Sequence, residues 1–377
     1  MTEHHHAPPI ITKRHHEPKR ACDDMYQFTY STQASRVVFG AGSLNLIQEE
    51  VDTLGAKRAL VLCTPEQRAQ AEVVSSLLGP SSAGVFDEAR MHVPIEVARR
   101  AREHAKSVQA DCAVAIGGGS TIGLGKAIAL ESALPIIAIP TTYAGSEMTP
   151  IYGITEGNLK RTGRDPRVLP RTVLYDPELL VGLPAKLAFV SGINAIAHAA
   201  EGLYAQDGNP VMSLMAEEGI RALANGLRGL KRNPRDMTAR SESLYGAWLC
   251  GMVLGNVGMA LHHKLCHTLG GTFDLPHAET HTIVLPHALA YNSVASPDAM
   301  ERIARALGAS AAADGIYELA QELGVPSALR DLGLKEEDLD RACEIAMSNP
   351  YWNPRAIEAA PLRALLQRAW EGSRPAP

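Results

Sequence analysis

At Leu183-Pro184 the chain changes texture, and that change constrains the fold more than any single motif. From Phe28 to about Gly182, short β-branched or apolar runs alternate with helical stretches, the pattern of parallel strands with helices packed on them. Val37-Val38-Phe39, Ala59 to Cys63, Cys112 to Ile116 and Ile136 to Ile139 read as strands. Beyond Leu183, Ala, Leu, Met and Glu dominate and apolar residues recur at spacings of three and four, so the second half is expected to be all helical. Pro184 suits the first turn of a helix, which puts the boundary between Val181 and Ala185. The expected organisation is a flexible extension over residues 1–25, an α/β domain with a parallel sheet over 26–182, and an all-α domain over 183–377.

Charge narrows the classes of partner. There are 36 Lys and Arg against 41 Asp and Glu, a formal charge of −5, so no global basic field draws in nucleic acid or an anionic membrane. No apolar run approaches the ~20 residues that a membrane span needs. Six cysteines (Cys22, Cys63, Cys112, Cys250, Cys266, Cys343) lie scattered without a CxxC spacing, in a chain too large to need disulfide staples, which fits a reducing cytoplasm. The first ~25 residues, with His4-His5-His6 and His15-His16, lack the apolar stretch of a signal peptide.

Two loops carry candidate phosphate-binding chemistry. Asp111 to Ile116, then Gly117-Gly118-Gly119-Ser120-Thr121, then a helical Ile122 to Leu130, give a strand, a glycine turn and a helix start in that order. Such a turn lets backbone N–H groups approach a phosphate at the positive end of a helix, and a Cβ would block that approach. Gly117 and Gly119 fit the first two places of the GxGxxG fingerprint, but Ile122 holds the third, so a plain strand-to-helix turn competes with the nucleotide reading. Gly40-Ala41-Gly42 is a weaker example of the same pattern. Pro140-Thr141-Thr142-Tyr143-Ala144-Gly145-Ser146-Glu147 leaves the next strand and so falls at the same carboxyl edge of the sheet, where ligands bind in open α/β folds.

The helical half concentrates histidines. Asn194 and His198 are four apart, and His263 and His267 repeat that spacing, so each pair projects from one helix face. His277 follows a glycine-bearing loop, so His198, His263 and His277 can converge from two helices and a loop. A lone histidine on an apolar helix is usually a hydrogen-bonded core residue; several at ligand spacing shift that balance. His262 must point away from His263 and reads as structural or exposed, while His281 and His287 read as supporting or packing residues.

Taken together and in order, these motifs resemble the iron-containing (group III) alcohol dehydrogenase family, over nearly the whole chain from Phe28 onward. The resemblance implies an N-terminal dinucleotide-binding α/β domain and a C-terminal helical catalytic domain, the dehydroquinate synthase-like architecture. It implies a pyrophosphate site at Gly117, Gly118, Gly119 and Ser120, and further cofactor contacts from Thr141, Thr142, Ser146 and Lys160. In metal-dependent members an Asp and three His hold a divalent ion, at positions that correspond to Asn194, His198, His263 and His277. An amide at Asn194 keeps the shape but removes the anionic ligand, so a metal-free site is expected. If an ion is present, His198, His263 and His277 hold it, and zinc suits three imidazoles.

Within the family, His262 to Glu279 and Asn349-Pro350-Tyr351-Trp352-Asn353-Pro354-Arg355 look like the maleylacetate reductase branch. That likeness implies reduction of 2-maleylacetate to 3-oxoadipate in the breakdown of aromatic compounds, with NADH or NADPH. It implies a small dicarboxylate as substrate, a cytoplasmic homodimer, and no nucleic-acid or membrane partner. Asn194, His198, His263, His267 and His277 are then the catalytic set, with His267 or His263 as proton donor and Arg355 as a carboxylate partner. The alternative within the family is a metal-dependent alcohol or polyol dehydrogenase in which the Asn194 carbonyl still ligates. A lyase related to dehydroquinate synthase, using the nicotinamide only transiently, is the rival from another reaction class.

Overall fold

The computed structural model describes residues 28–31 and 35–377 apart from Asn158 and the side chain of Lys160; the N-terminal histidines and Cys22 lie outside the described residues. The first half builds β1 (Arg36–Phe39), β2 (Ala59–Leu62), β3 (Ser82–Phe86), β4 (Cys112–Gly117) and β5 (Ile136–Pro140), then a hairpin of β6 (Ile151–Glu156) and β7 (Leu159–Arg164), then β8 (Thr172–Tyr175). Six of these form one parallel sheet in the order β1-β8-β5-β4-β2-β3, and β6 and β7 pair antiparallel on their own.

Side-chain alternation explains why this sheet is buried on both faces. Val61, Val114, Ile116, Ile137 and Ile139 pack with Ile47 and Val51 of α1 (Ile47–Thr53) and with Ala71, Val74 and Leu78 of α2 (Arg68–Leu78). Leu60, Leu62 and Ala113, one residue out of phase, face α3 (Ile95–Ser107) and α4 (Gly119–Ser132) through Val97, Ala101, Leu124 and Ile128. The connection leaving β2 crosses to β3 on one side, and that leaving β4 crosses to β5 on the other. The carboxyl ends of β2 and β4 therefore flank a topological switch point, where ligands bind in such sheets.

From Ala185 onward the described chain is helical, as its periodicity predicts. The elements are α5 (Ala185–Gly202), α6 (Pro210–Arg232), α7 (Met237–Asn256), α8 (Leu261–Phe273), α9 (His277–Asn292), α10 (Pro297–Leu307), α11 (Ala312–Leu323), α12 (Leu339–Ser348) and α13 (Ala359–Glu371). Caps set several of the starts: the Asn209 side chain accepts from Met212 N–H, and Asp236 accepts from Thr238 and Ala239 N–H. Leu265 and Leu269 of α8, Ile283 and Val284 of α9, and Leu362 and Leu366 of α13 share one core cluster. No single helix among the described residues is long and apolar enough to cross a membrane.

The two halves meet where the loop after β5 lies on α7 with little between their backbones. Gly145, at φ +79°, is so close that a Cβ there would sit 3.2 Å from the Gly251 Cα, and a Cβ on Gly255 would sit 2.5 Å from the Met148 carbonyl oxygen. Tyr175 Oη donates to Glu147 Oε1 at 2.8 Å, which opposes retreat of the loop from an added methyl. Gly255→Ala is accordingly expected to destabilise the protein by about 1–3 kcal/mol, as overpacking does, read from the urea midpoint; an unchanged midpoint would mean that the loop yields without cost.

Candidate active site

The switch point between β2 and β4 is where the glycine turn sits. Gly117 ends β4 at φ +153°, and a Cβ there would lie 2.6 Å from Gln67 Oε1 and 2.9 Å from Thr121 Cβ, so only glycine fits. Gly118 stands just before α4, and no side chain caps that helix, which leaves its first N–H groups facing the crevice. Thr141 N–H donates to the Gly117 carbonyl at 3.1 Å, and Thr142 Cγ2 lies 3.1 Å from where a Gly118 Cβ would be. Gly117, Gly118, Gly119, Ser120, Thr141 and Thr142 are thus neighbours, as the sequence implies.

Gln67 escaped the sequence reading. Its Nε2 donates to Thr141 Oγ1 at 2.8 Å, so it closes the crevice from the β2 side. The only hint was its place shortly after a strand that turns out to neighbour β4. Gly40-Ala41-Gly42 does other work: Gly42 and Leu44 N–H donate to the Asp176 carboxylate, so that turn cradles a side chain of the protein. Lys160 falls on β7 in register with Thr155, and its side chain lies outside the described residues.

Ser146 is tied to the glycine turn's own helix. Lys126 of α4 is fully buried, and its Nζ reaches the carbonyls of Ser146 (2.6 Å), Thr149 (2.8 Å) and Ile151 (2.7 Å) as well as Thr149 Oγ1 (3.0 Å). Burial pulls the ammonium down to about 7. One side chain therefore registers the whole Ser146 to Ile151 segment against the helix that would face the phosphates.

The same loop touches the histidines: a Cβ on Gly145 would lie 3.5 Å from His198 Nδ1. On α5, Asn194 and His198 share one face, and both are buried. The His198 ring lies 5.2 Å from that of His263, centroid to centroid, and His263 lies 6.1 Å from His267 on α8. His281, four residues after His277 on α9, stands 5.0 Å from His263 and 4.3 Å from His277. Two helices and the start of a third thus bring His198, His263, His267 and His277 around one space, as expected, with Asn194 one turn before His198 on its helix. His281, expected to be a supporting or packing residue, backs the cluster from α9 and is fully buried.

Burial decides the charge of this cluster. His198, His262 and His281 are held well below the usual imidazole range, by desolvation first and by the neighbouring imidazoles second. They are neutral at neutral pH and present lone pairs, so an imidazolium donor does not come from them. His267 and His277 lie at the exposed rim, and His267 Nδ1 sits 2.9 Å from Tyr351 Oη. Tyr351 joins the site from the segment before α13, and its phenol is pushed up by burial. Arg355, expected as a carboxylate partner, is engaged within the protein: its Nη1 donates to the Tyr291 carbonyl at 2.8 Å and its guanidinium stacks 4.2 Å from that ring's centroid.

Behind the cluster lies a second polar knot. His262 and His281 share a hydrogen bond of 2.9 Å between Nε2 and Nδ1, with Cys266 Sγ 3.7 Å from His262 Nε2, all three buried. His262, expected to be structural or exposed, is buried and bonded to His281, whose Nε2 has no hydrogen-bond partner among the described residues. His287 is a buried packing residue, lowered to about 4 by desolvation and by Arg368. The five described cysteines are free.

The donor set does fit a metal ion. Asn194 Oδ1, His198 Nδ1 and His263 Nε2 are buried with no hydrogen-bond partner among the described residues, and neutral imidazoles are good ligands for zinc. The expectation of a metal-free site, drawn from Asn194 alone, therefore finds no support in this arrangement.

Comparison with known proteins agrees with this layout. Residues 34–177 match the family described as iron-containing alcohol dehydrogenase, and residues 188–370 match the C-terminal part of the Fe-containing alcohol dehydrogenase family. A maleylacetate reductase from Burkholderia cepacia is 62% identical over 351 residues, 93% of this chain and 100% of that protein. The crystal structure of maleylacetate reductase from Rhizobium sp. strain MTP-10005 superimposes with a TM-score of 0.91 at 55% identity, covering 93% of this chain and 100% of the other. An iron-containing alcohol dehydrogenase from Corynebacterium glutamicum gives 0.87 at 43% identity, over 91% and 96%.

Replacing Lys126 by Met keeps the bulk but leaves one buried and two part-buried carbonyls without their donor. The expected cost is about 2–4 kcal/mol in urea unfolding, together with weaker NADH binding as the Ser146 loop loosens, measured by fluorescence titration. Full stability and unchanged binding would show that the loop is registered by its other contacts.

Proposed function

The chain belongs to the iron-containing alcohol dehydrogenase family, and on that premise we propose that it is an NAD(P)H-dependent oxidoreductase that reduces 2-maleylacetate to 3-oxoadipate in aromatic-compound breakdown. The observation that carries this reading is the 62% identity to a maleylacetate reductase over 93% of the chain. The site chemistry supports it. A pocket with Asn194 in place of a carboxylate adds no fixed negative charge where a dicarboxylate must bind, and like charges at such range repel strongly in a low-dielectric site.

The bound nicotinamide supplies a hydride, which adds to the alkene carbon farther from the ketone, while charge collects on the ketone oxygen as an enolate. The Gly117 to Ser120 turn and Thr141, Thr142, Ser146 and Lys160 hold the dinucleotide, and Lys126 keeps the Ser146 loop in place. Thr64-Pro65 follows β2 where an acidic residue would select NADH, so both NADH and NADPH serve. Asn194, His198, His263 and His277 surround the ketone end of the substrate. His267 at the rim delivers the proton to the carbon beside the ketone, with Tyr351 Oη holding its Nδ1. His263 is the poorer donor of the two, because its Nδ1 is engaged by Glu201 at 2.7 Å.

If a divalent cation is held, His198, His263 and His277 hold it, with the Asn194 amide oxygen beside them, and it supplies Lewis-acid polarisation of the ketone. Assembly as a cytoplasmic homodimer belongs to the same reading, supported by the family resemblance alone.

The deciding test is NADH consumption with freshly generated maleylacetate, on enzyme as purified and after exhaustive chelation. Net, stoichiometric NADH oxidation is expected; none with maleylacetate but turnover with simple aldehydes would return the chain to the alcohol dehydrogenases. Activity lost on chelation and restored by Zn²⁺ or Fe²⁺ assigns the metal a part, and undiminished turnover assigns it none. Asn194→Asp is expected to raise KM for maleylacetate at least tenfold, about 1.4 kcal/mol, while tightening divalent-metal binding; an unchanged KM would count against the charge argument.

A further inference from the structure

Glu201, which engages His263 Nδ1, is the most heavily engaged carboxylate among the described residues of the helical half. It lies on α5, three residues after His198, and is fully buried. Its Oε1 accepts from His262 N–H at 2.7 Å, and its Oε2 accepts from Ala260 N–H at 2.7 Å and lies 2.7 Å from His263 Nδ1. Ala260 is the residue before α8, so this carboxylate takes the place of the cap that no side chain at that position supplies.

The geometry points to Glu201 as the positioning residue that fixes His263 in its Nδ1–H tautomer and turns the bare Nε2 toward the cluster as a cation ligand. The argument is one of donors and acceptors. A carboxylate offers only lone pairs, and Oε2 already faces the Ala260 N–H, so the hydrogen between Oε2 and Nδ1 belongs to the imidazole. The other ring nitrogen then carries a lone pair. That atom, His263 Nε2, is buried and has no hydrogen-bond partner among the described residues, and its ring stands beside that of His198, whose Nδ1 is likewise unpartnered. A bare lone pair would repel the oxygen of a developing enolate, so this tautomer suits a positively charged group between ring and substrate. A carboxylate behind a ligating histidine also fixes ring orientation and raises its basicity, and losing such a partner costs 10–100-fold in metal affinity or activity. By holding the first N–H groups of α8, Glu201 sets the rotation of the helix that also carries His267. His198 and Glu201 on α5 thus arrange two faces of one site, one ring directly and the other through α8.

This inference rests on the reading of His263 as a site residue, and the test separates the two. Zn²⁺ affinity of the metal-stripped protein is measured by competition with a chromophoric chelator for wild type, Glu201→Gln and His263→Ala, with NADH binding as the check that each variant is folded. In Glu201→Gln the amide presents N–H to one of the groups that now donate to Glu201, and the His263 ring is expected to flip to Nε2–H, as Asp→Asn does in the serine-protease triad. Zn²⁺ affinity is expected to fall 10–100-fold with NADH binding retained. Long-range ¹H–¹⁵N spectra of wild type are expected to show His263 as Nδ1–H, a readout that a merely structural carboxylate would not determine and that survives even if Glu201→Gln fails to fold. Wild-type His263 found as Nε2–H, or a folded Glu201→Gln with unaltered Zn²⁺ affinity, would overturn the proposal. Wild-type affinity in His263→Ala would instead overturn the placement of His263 in the site.

Discussion

Backbone laid against backbone, Gly145 on Gly251 and Met148 on Gly255, is the contact on which the rest of this structure depends. A loop that leaves the carboxyl edge of a parallel sheet is held within a methyl's width of a buried helix. That contact brings the crevice between β2 and β4 within reach of the histidines. Lys126 makes the arrangement rigid from the sheet side, since its ammonium gathers the carbonyls of Ser146, Thr149 and Ile151 onto α4. Glu147 and Tyr175 do so from β8.

On the helical side the governing constraint is electrostatic. Several imidazoles share a small volume, and desolvation holds His198, His262 and His281 neutral. What remains is a field of lone pairs with a buried carboxylate at its back, Glu201, whose own charge faces the N–H groups that open α8. Lone pairs without partners on Asn194, His198 and His263 are costly to leave dry, which is the physical reason to expect a ligand among them. At the exposed rim, His267 Nδ1 meets Tyr351 Oη at 2.9 Å.

Legibility from sequence followed the range of the interactions. The strands β1, β2, β4 and β5 are short apolar runs bounded by turns, and they could be read directly. β3, β6, β7 and β8 could not: β3 and the hairpin are partly exposed, so their residues lack the continuous apolar character of buried strands, and β8 has only Val173 and Leu174 between Thr172 and Tyr175. The cofactor turn and the i, i+4 pairs Asn194/His198 and His263/His267 are local patterns and were visible. Gln67, Lys126 and Glu201 were not, because each acts on residues of another element and nothing in its own neighbourhood marks it; Tyr351 lies in a segment that the resemblance marks, but its pairing with His267 comes from the fold.

The sequence by itself determined the change from α/β to helical architecture near Leu183, the glycine turn after β4, and the spacing that puts imidazoles on one helix face, because periodicity and turn chemistry are properties of adjacent residues. Only the tertiary structure decided that Arg355 pairs with Tyr291, that Asp176 occupies the Gly40 to Gly42 turn, and that Glu201 stands behind His263. Burial and hydrogen-bond direction, which select those roles, come into being when separate helices close on one another.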